Sequence, residues 1–254
     1  MIGTNSSSIR DLACKIIDKN KLTVGMDPFD IGPLLLQLRR EVDILRKLHH
    51  PNIVSFYDFM ETKDKLFIIT EHLSGGELFD YILNNGPLSE NLTRKILFGV
   101  FNAVLYLHER GVIHRDIKAE NLIFFKNING EFSLKLIDFG FSTILKNNLT
   151  GSFLGTGGYI APEIRQNRNY STSVDNWALG ILLYCTLSAR LPFSVSVDSI
   201  PQTKESCKNL FLLKFPSSHW SHISDNCKNL IHQLLEVDPM KRITVKEALN
   251  HAWV

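Results

Sequence analysis

The sequence predicts an α+β protein: a small, mainly antiparallel sheet with one helix in the first third, then a larger, mostly helical portion. Short apolar runs of strand length, LACKII at 12–17 and LFIIT at 66–70, predict the sheet. Apolar residues recurring at helical spacing beyond residue 75 predict the helices. The stretch HLSGG at 72–76, where a strand gives way to a glycine-containing turn, marks the seam between them.

With 254 residues the chain can bury a core for one large or two modest domains, and 44% hydrophobic with 21% charged residues excludes a disordered chain or a coiled coil. The 28 Lys and Arg against 26 Asp and Glu leave a net charge of +2 without a basic stripe, which argues against nucleic-acid and anionic-membrane partners. Cys14, Cys185, Cys207 and Cys227 show no CxxC spacing, as expected of reduced thiols in an intracellular protein, cytoplasmic or nuclear. The opening MIGTNSSSIRD lacks the apolar core of a signal peptide, and the most apolar internal run, 178–187, is too short to span a bilayer.

The elements succeed one another along the chain. After the strand at 12–17, residues 33–48 carry Leu34, Leu38, Leu45 and Leu48 at helical spacing, and Pro51 bars the helix from continuing. IVSFYDF at 53–59 is a weaker strand, and 66–70 a stronger one. Ile96, Val100, Ala103, Val104 and Leu107 form one helical stripe, and Cys227, Leu230, Ile231, Leu234 and Leu235 another. Residues 175–187 are apolar almost all round, as in a buried helix.

Charged residues interrupt this pattern where burial is costly without a partner. Glu41 falls on the apolar stripe between Leu38 and Leu45, and Lys15 sits inside LACKII. Each could snorkel to solvent, or the two could neutralise each other. HRDIKAEN at 114–121 concentrates His114, Arg115, Asp116, Lys118, Glu120 and Asn121 in a loop between apolar elements. Asp138 in IDFG, followed by Phe139 and Gly140, ends a strand-like run where a carboxylate can meet a cation.

In order, Lys15, Glu41, HRDIKAEN, IDFG, GTGGYIAPE, VDNWALG, DPMKRIT and HAWV resemble the signature set of eukaryotic protein kinases over nearly the whole chain. ACKIIDK, LHHPNIV and GGELFD resemble the calcium/calmodulin-dependent kinase group. The long connection from Asp18 to Arg40 is similar to forkhead-associated checkpoint kinases, and GFS after Asp138 to protein kinase D. The resemblance implies a two-lobed, protein-kinase-like fold over 1–254, with a truncated N-lobe at about 1–72 and a C-lobe at about 76–254.

The resemblance also implies roles. Phosphoryl transfer needs positioning and charge neutralisation above all. Lys15 would bind the α- and β-phosphates of ATP, oriented by Glu41, while Asn121 and Asp138 would hold Mg2+ through hard oxygens. Asp116 would accept the proton of the attacking hydroxyl, and Lys118, a choice that resembles Ser/Thr kinases, would steady the γ-phosphate. Glu71 and Leu73 would offer backbone groups to adenine, with Ala13 and Ile123 on its two faces and Thr70 at the back. Thr156 would bond the catalytic loop, Glu163 and Arg242 would form a buried bridge, and Asp175 would anchor HRD. Protein substrates with upstream arginines would meet Glu77 and Glu120, although Glu77 reads equally as an exposed first-turn helix acid. Arg115 would bind a phosphate on the activation segment, at Ser152 first and Thr150 second, placed by an upstream kinase or by autophosphorylation in trans.

One departure matters. GxGxxGxV and the strand after it are expected before Lys15, and IGTNSSSIRD stands there instead, so the glycine-rich loop is incomplete. The sheet is then expected to lack one or two strands and ATP binding to be weakened. Two readings stay open: a Ser/Thr protein kinase acting in basic sequence contexts, or a pseudokinase scaffold or truncated kinase without productive ATP binding. A kinase of small molecules is disfavoured, because GTGGYIAPE resembles a segment that docks protein substrates.

Overall fold

Strand β1 (Leu12–Asp18) runs antiparallel to β3 (Lys65–Glu71), whose other edge pairs with β2 (Phe56–Glu61), giving the order β1-β3-β2. This computed structural model describes residues 11–25, 27–127, 129–140, 142–144, 157–166, 170–194 and 209–254. The pleat sorts the side chains: Leu66 and Ile68 are buried, whereas Leu12 and Ile16 stay exposed. Opposite Ile68 on β1 stands Lys15, and opposite Thr70 stands Ala13.

Two element boundaries differ from the expectation. The helix expected at 33–48 is α2 (Pro28–Leu45), which begins earlier because Asp27 caps it by accepting from the Phe29 N–H at 2.9 Å. Pro28 sits at the first turn, where a missing N–H costs nothing, and Pro33 is absorbed inside the helix. Leu48 is still buried, in a turn closed by its N–H to the Leu45 carbonyl. The strand expected at 53–59 begins later, at Phe56, because Ile53 and Val54 are recruited elsewhere. Ile53 bridges to Leu136, and the Val54 N–H donates to the Leu136 carbonyl at 3.0 Å, stitching the sheet lobe to the helical lobe. Asn52 completes this seam, its amide donating to the Ser133 hydroxyl at 2.9 Å and the Leu134 carbonyl at 2.8 Å. A short helix that the sequence pattern does not announce, α1 (Lys19–Leu22), comes directly after β1, with Asp18 accepting from the N–H groups of Asn20 and Lys21.

The helical lobe is built on α3 (Leu78–Asn85), α4 (Glu90–Glu109), α5 (Pro162–Arg165), α6 (Ser173–Ser188), α7 (Ser217–Trp220), α8 (Asp225–Leu234) and α9 (Val245–Ala248). The stripe from Ile96 to Leu107 is buried on α4, as its spacing demands, and Cys227, Leu230, Ile231 and Leu234 are buried on α8. All 16 residues of α6 are buried, matching a run that is apolar all round. Two strand pairs and the three-stranded sheet flank the site: β4 (Val112–Ile113) with β7 (Thr143–Ile144), the hairpin β5 (Leu122–Lys126) with β6 (Phe132–Leu136), and the β1-β3-β2 sheet.

Candidate active site

Lys15 projects from the inner face of β1 toward two acids brought from distant parts of the chain. Its Nζ lies 3.5 Å from a Glu41 carboxylate oxygen on α2 and 3.0 Å from Asp138 Oδ1 just beyond β6. Burial works against the ammonium, but the paired carboxylates overcome it and raise the Lys15 pKa. Glu41 is itself nearly inaccessible, and burial pushes its carboxyl upward against the pull of Lys15. Asp138 goes the other way: burial favours its neutral form, yet Lys15 and the Gly140 N–H at 3.1 Å hold it below the usual range. Lys15 and Glu41 therefore do neutralise each other across the sheet–helix interface.

These residues close one end of a cavity of about 240 Å³. Ala13, Thr70, Glu71, Leu73 and Ile123 line it, together with residues the sequence pattern does not single out, notably Val54, Ile68 and Ile137. Its lining is mostly apolar, with Lys15, Glu41 and Asp138 supplying charge, a composition that suits a heteroaromatic ring with an anionic tail. The Glu71 carboxylate is already engaged: it accepts from the Ser55 N–H at 2.7 Å and is paired with Lys135.

The HRDIKAEN loop forms the second half of the site. Asp116 is buried and accepts from Lys118 Nζ and Asn121 Nδ2, each at 2.9 Å. Asn121 thus spends its amide nitrogen on Asp116, which turns its carbonyl oxygen into an available hard donor. Its backbone carbonyl takes the Ile137 N–H at 2.9 Å, fastening this loop to the segment between β6 and Asp138. Asn121 and Asp138, the two oxygen donors expected to hold magnesium, are therefore linked through one backbone hydrogen bond.

Asp175, at the start of the fully buried α6, organises the loop from behind. It accepts from the backbone N–H groups of His114 and Arg115 and from His108 Nε2, all at 2.9 Å. Burial favours the neutral acid, but these donors hold its pKa down. Arg115 and Asp138 adopt φ of 69° and 57°, the left-handed region that non-glycine residues rarely enter. Phe139 is buried and meets His114 edge to face at 4.8 Å between ring centres. Burial drives the His114 pKa down, favouring a neutral imidazole.

The remaining expected residues are spread around this centre. Glu163 and Arg242 are paired and buried. Arg115 donates from Nη1 to the Tyr170 hydroxyl at 2.9 Å. Glu120 is half-buried, and its Oε2 has no hydrogen-bond partner among the described residues. Glu77 stands at the N-cap of α3, not in its first turn, and its side chain makes no capping bond. Thr150, Ser152 and Thr156 lie outside the described residues. Sequence reasoning misses His108, Tyr170 and Lys135; a histidine ending an apolar helical stripe and a single lysine inside SLKLI are the available signals.

The sequence of chain elements and the geometry of this cleft define a protein kinase domain. A family model described as the protein kinase domain matches residues 2–254, and the chain belongs to that family. It is 37% identical over 246 residues to serine/threonine-protein kinase SIK1 of Rattus norvegicus, covering 96% of this chain and 29% of that protein. It is 36% identical over 251 residues to calcium/calmodulin-dependent protein kinase type 1 of Macrobrachium nipponense, covering 96% of this chain and 67% of that protein. It is 36% identical over 254 residues to serine/threonine-protein kinase cds1 of Schizosaccharomyces pombe, covering 95% of this chain and 52% of that protein. The chain thus spans from under a third to about two thirds of the length of these relatives. Among the described residues, no helix is long and apolar enough to cross a membrane.

Proposed function

We propose that the chain is a Ser/Thr protein kinase that transfers the γ-phosphate of ATP to protein hydroxyls, in a cleft between a sheet lobe of about 1–72 and a helical lobe of about 76–254. The observation that carries this is the position of Lys15 Nζ between the Glu41 and Asp138 carboxylates at the polar end of the cavity. Ala13 and Ile123 sandwich the adenine, the Glu71–Leu73 backbone hydrogen-bonds its edge, and Thr70 bounds it at the back. Lys15 binds the α- and β-phosphates, and Glu41 keeps it aimed. Asp138 and Asn121 would hold magnesium, which when bound would neutralise the polyphosphate charge. Asp116 accepts the proton of the acceptor hydroxyl, and Lys118, already 2.9 Å from it, meets the γ-phosphate beside that point.

The Oε2 of Glu120, which has no hydrogen-bond partner among the described residues, supports substrates that carry an upstream arginine, with Glu77 as a second acid. Arg115 is the proposed receiver of phosphate at Ser152, added by an upstream kinase or in trans, and the site of action is the cytoplasm or nucleus.

The test is transfer from labelled ATP with magnesium to a serine peptide bearing upstream arginines. Transfer by the wild type and none by Asp116→Ala is the expected result; no transfer by a folded wild type would sink the enzymatic reading. The second reading is a pseudokinase scaffold. It requires a folded protein that holds partners while failing to bind ATP.

A further inference from the structure

Lys135 is a lysine that the proposed chemistry does not use, placed where a lysine is expensive. It lies in the middle of β6 with its side chain 10% exposed, flanked by Leu134 and Leu136, both fully buried. On the neighbouring strand it stands directly opposite Ile123, so the two side chains share one face, the one turned toward the segment after β3. Ile123 lines the cavity, and beside it Lys135 reaches the carboxylate of Glu71, another lining residue. The lysine stem also crosses Phe125, its Nζ 5.0 Å from the ring centre.

Glu71 is held at three points. Its carboxylate takes the Lys135 ammonium and the Ser55 N–H at 2.7 Å, and its own N–H donates to the Ser55 carbonyl at 3.0 Å. Nearby, the His72 N–H donates to the Asp11 carbonyl at 3.3 Å. Glu71 is still in register with Leu12 of β1, but residues 72–76 leave the sheet as coil before α3, and coil of this kind sets its own backbone poorly.

We infer that Lys135 is a positioning residue for the nucleotide: by gripping the Glu71 carboxylate, it fixes the Glu71–Leu73 backbone that faces the purine. The inference rests on the nucleotide-binding reading above. A fixed edge binds without first being ordered, so the effect belongs to affinity and not to the transfer step, whose groups lie at the other end of the cavity.

The test uses Lys135→Met, which keeps the stem and removes the charge, and Lys135→Arg, which keeps the charge. Amide hydrogen exchange at 71–73 is measured without nucleotide, alongside ADP affinity and the steady-state constants. Lys135→Met is expected to exchange faster there, to bind ADP about tenfold more weakly, and to raise KM for ATP by a similar factor while kcat stays within about twofold. Lys135→Arg is expected to restore most of the affinity. Unchanged exchange and affinity in folded Lys135→Met overturn the inference, as does a fall in kcat at constant KM. A wild type that binds no ADP overturns the nucleotide reading and the inference with it, whereas normal ADP binding with unchanged exchange overturns the inference alone. Should Lys135→Met fail to fold, the double variant with Glu71→Leu leaves no lone buried charge; wild-type ADP affinity in it overturns the inference, and the same weakening supports it.

Discussion

The Glu163 carboxylate and the Arg242 guanidinium meet in two parallel hydrogen bonds, of 2.7 and 3.0 Å, with both side chains sealed from water. The same guanidinium donates to the Ser173 carbonyl at the start of α6 and lies 5.0 Å over the Trp177 ring. It thus joins α5, α6 and the loop before α9. Removing one member strands a buried charge, so Arg242→Ala is expected to lower stability by about 3–5 kcal/mol. Urea denaturation checks this; a loss below about 1 kcal/mol would mean the pair is not sealed as described.

Lys15 and Glu41 are expected to act as one unit. Lys15→Met should lower kcat/KM about 10²–10³-fold, as when one preorganised charge is removed from a transfer site. Glu41→Gln should cost less, about tenfold, or about 1.4 kcal/mol in the barrier. The double variant should be no worse than Lys15→Met alone, because Glu41 works only through Lys15. Additive losses in the peptide assay would show that Glu41 has a separate role.

Glu61 gives a pH dependence with a definite sign. Hydrogen bonds from Arg39 on α2, at 3.1 and 2.8 Å, and from Lys19 on α1 pull its pKa from 4.5 down to about 2. A depressed carboxylate stabilises the folded state fully above its unfolded pKa and loses that contribution as pH falls through the folded one. The stability gap between wild type and Glu61→Gln should therefore be constant above about pH 5 and shrink below 4.5. The gap itself should stay under about 1 kcal/mol, because these groups are solvent-screened. Denaturation curves at several pH values measure it, and a gap that widens on acidification would contradict the pairing.

Gly99 on α4 makes room for Asn52. A Cβ there would lie 2.4 Å from the Asn52 amide nitrogen, the group that bonds Ser133 and Leu134. Gly99→Ala should push the amide away and cost about 1–3 kcal/mol despite the better helix propensity of alanine. A stabilised variant in thermal denaturation would show that Asn52 can move freely.

Much of this architecture is legible in the sequence where period and chemistry agree. The stripes of α4 and α8 and the all-round burial of α6 come from apolar spacing alone, and Lys15 and Glu41 betray themselves as charges in apolar positions. The differences lie at boundaries. Apolar spacing starts α2 too late because the leucine stripe begins only at Leu34, whereas Asp27 and Pro28 supply the helix start. Ile53 and Val54 have the side chains of strand residues, but their backbone pairs with Leu136 from far along the chain. Lys135 and His108 escape for the same reason: their partners, Glu71 and Asp175, are 64 and 67 residues away, and no local pattern encodes that distance.

The left-handed backbone at Arg115 and Asp138 sets stability and chemistry against each other. Each such residue stores about 1–3 kcal/mol that the surrounding bonds must hold in place. Glycine relaxes that conformation at no steric cost, so a redesign guided by stability alone would favour it at both positions. It would deliver a sturdier fold with neither the carboxylate that meets Lys15 nor the guanidinium that meets Tyr170. Thermal screening of libraries at these two positions would select against the site it was meant to improve.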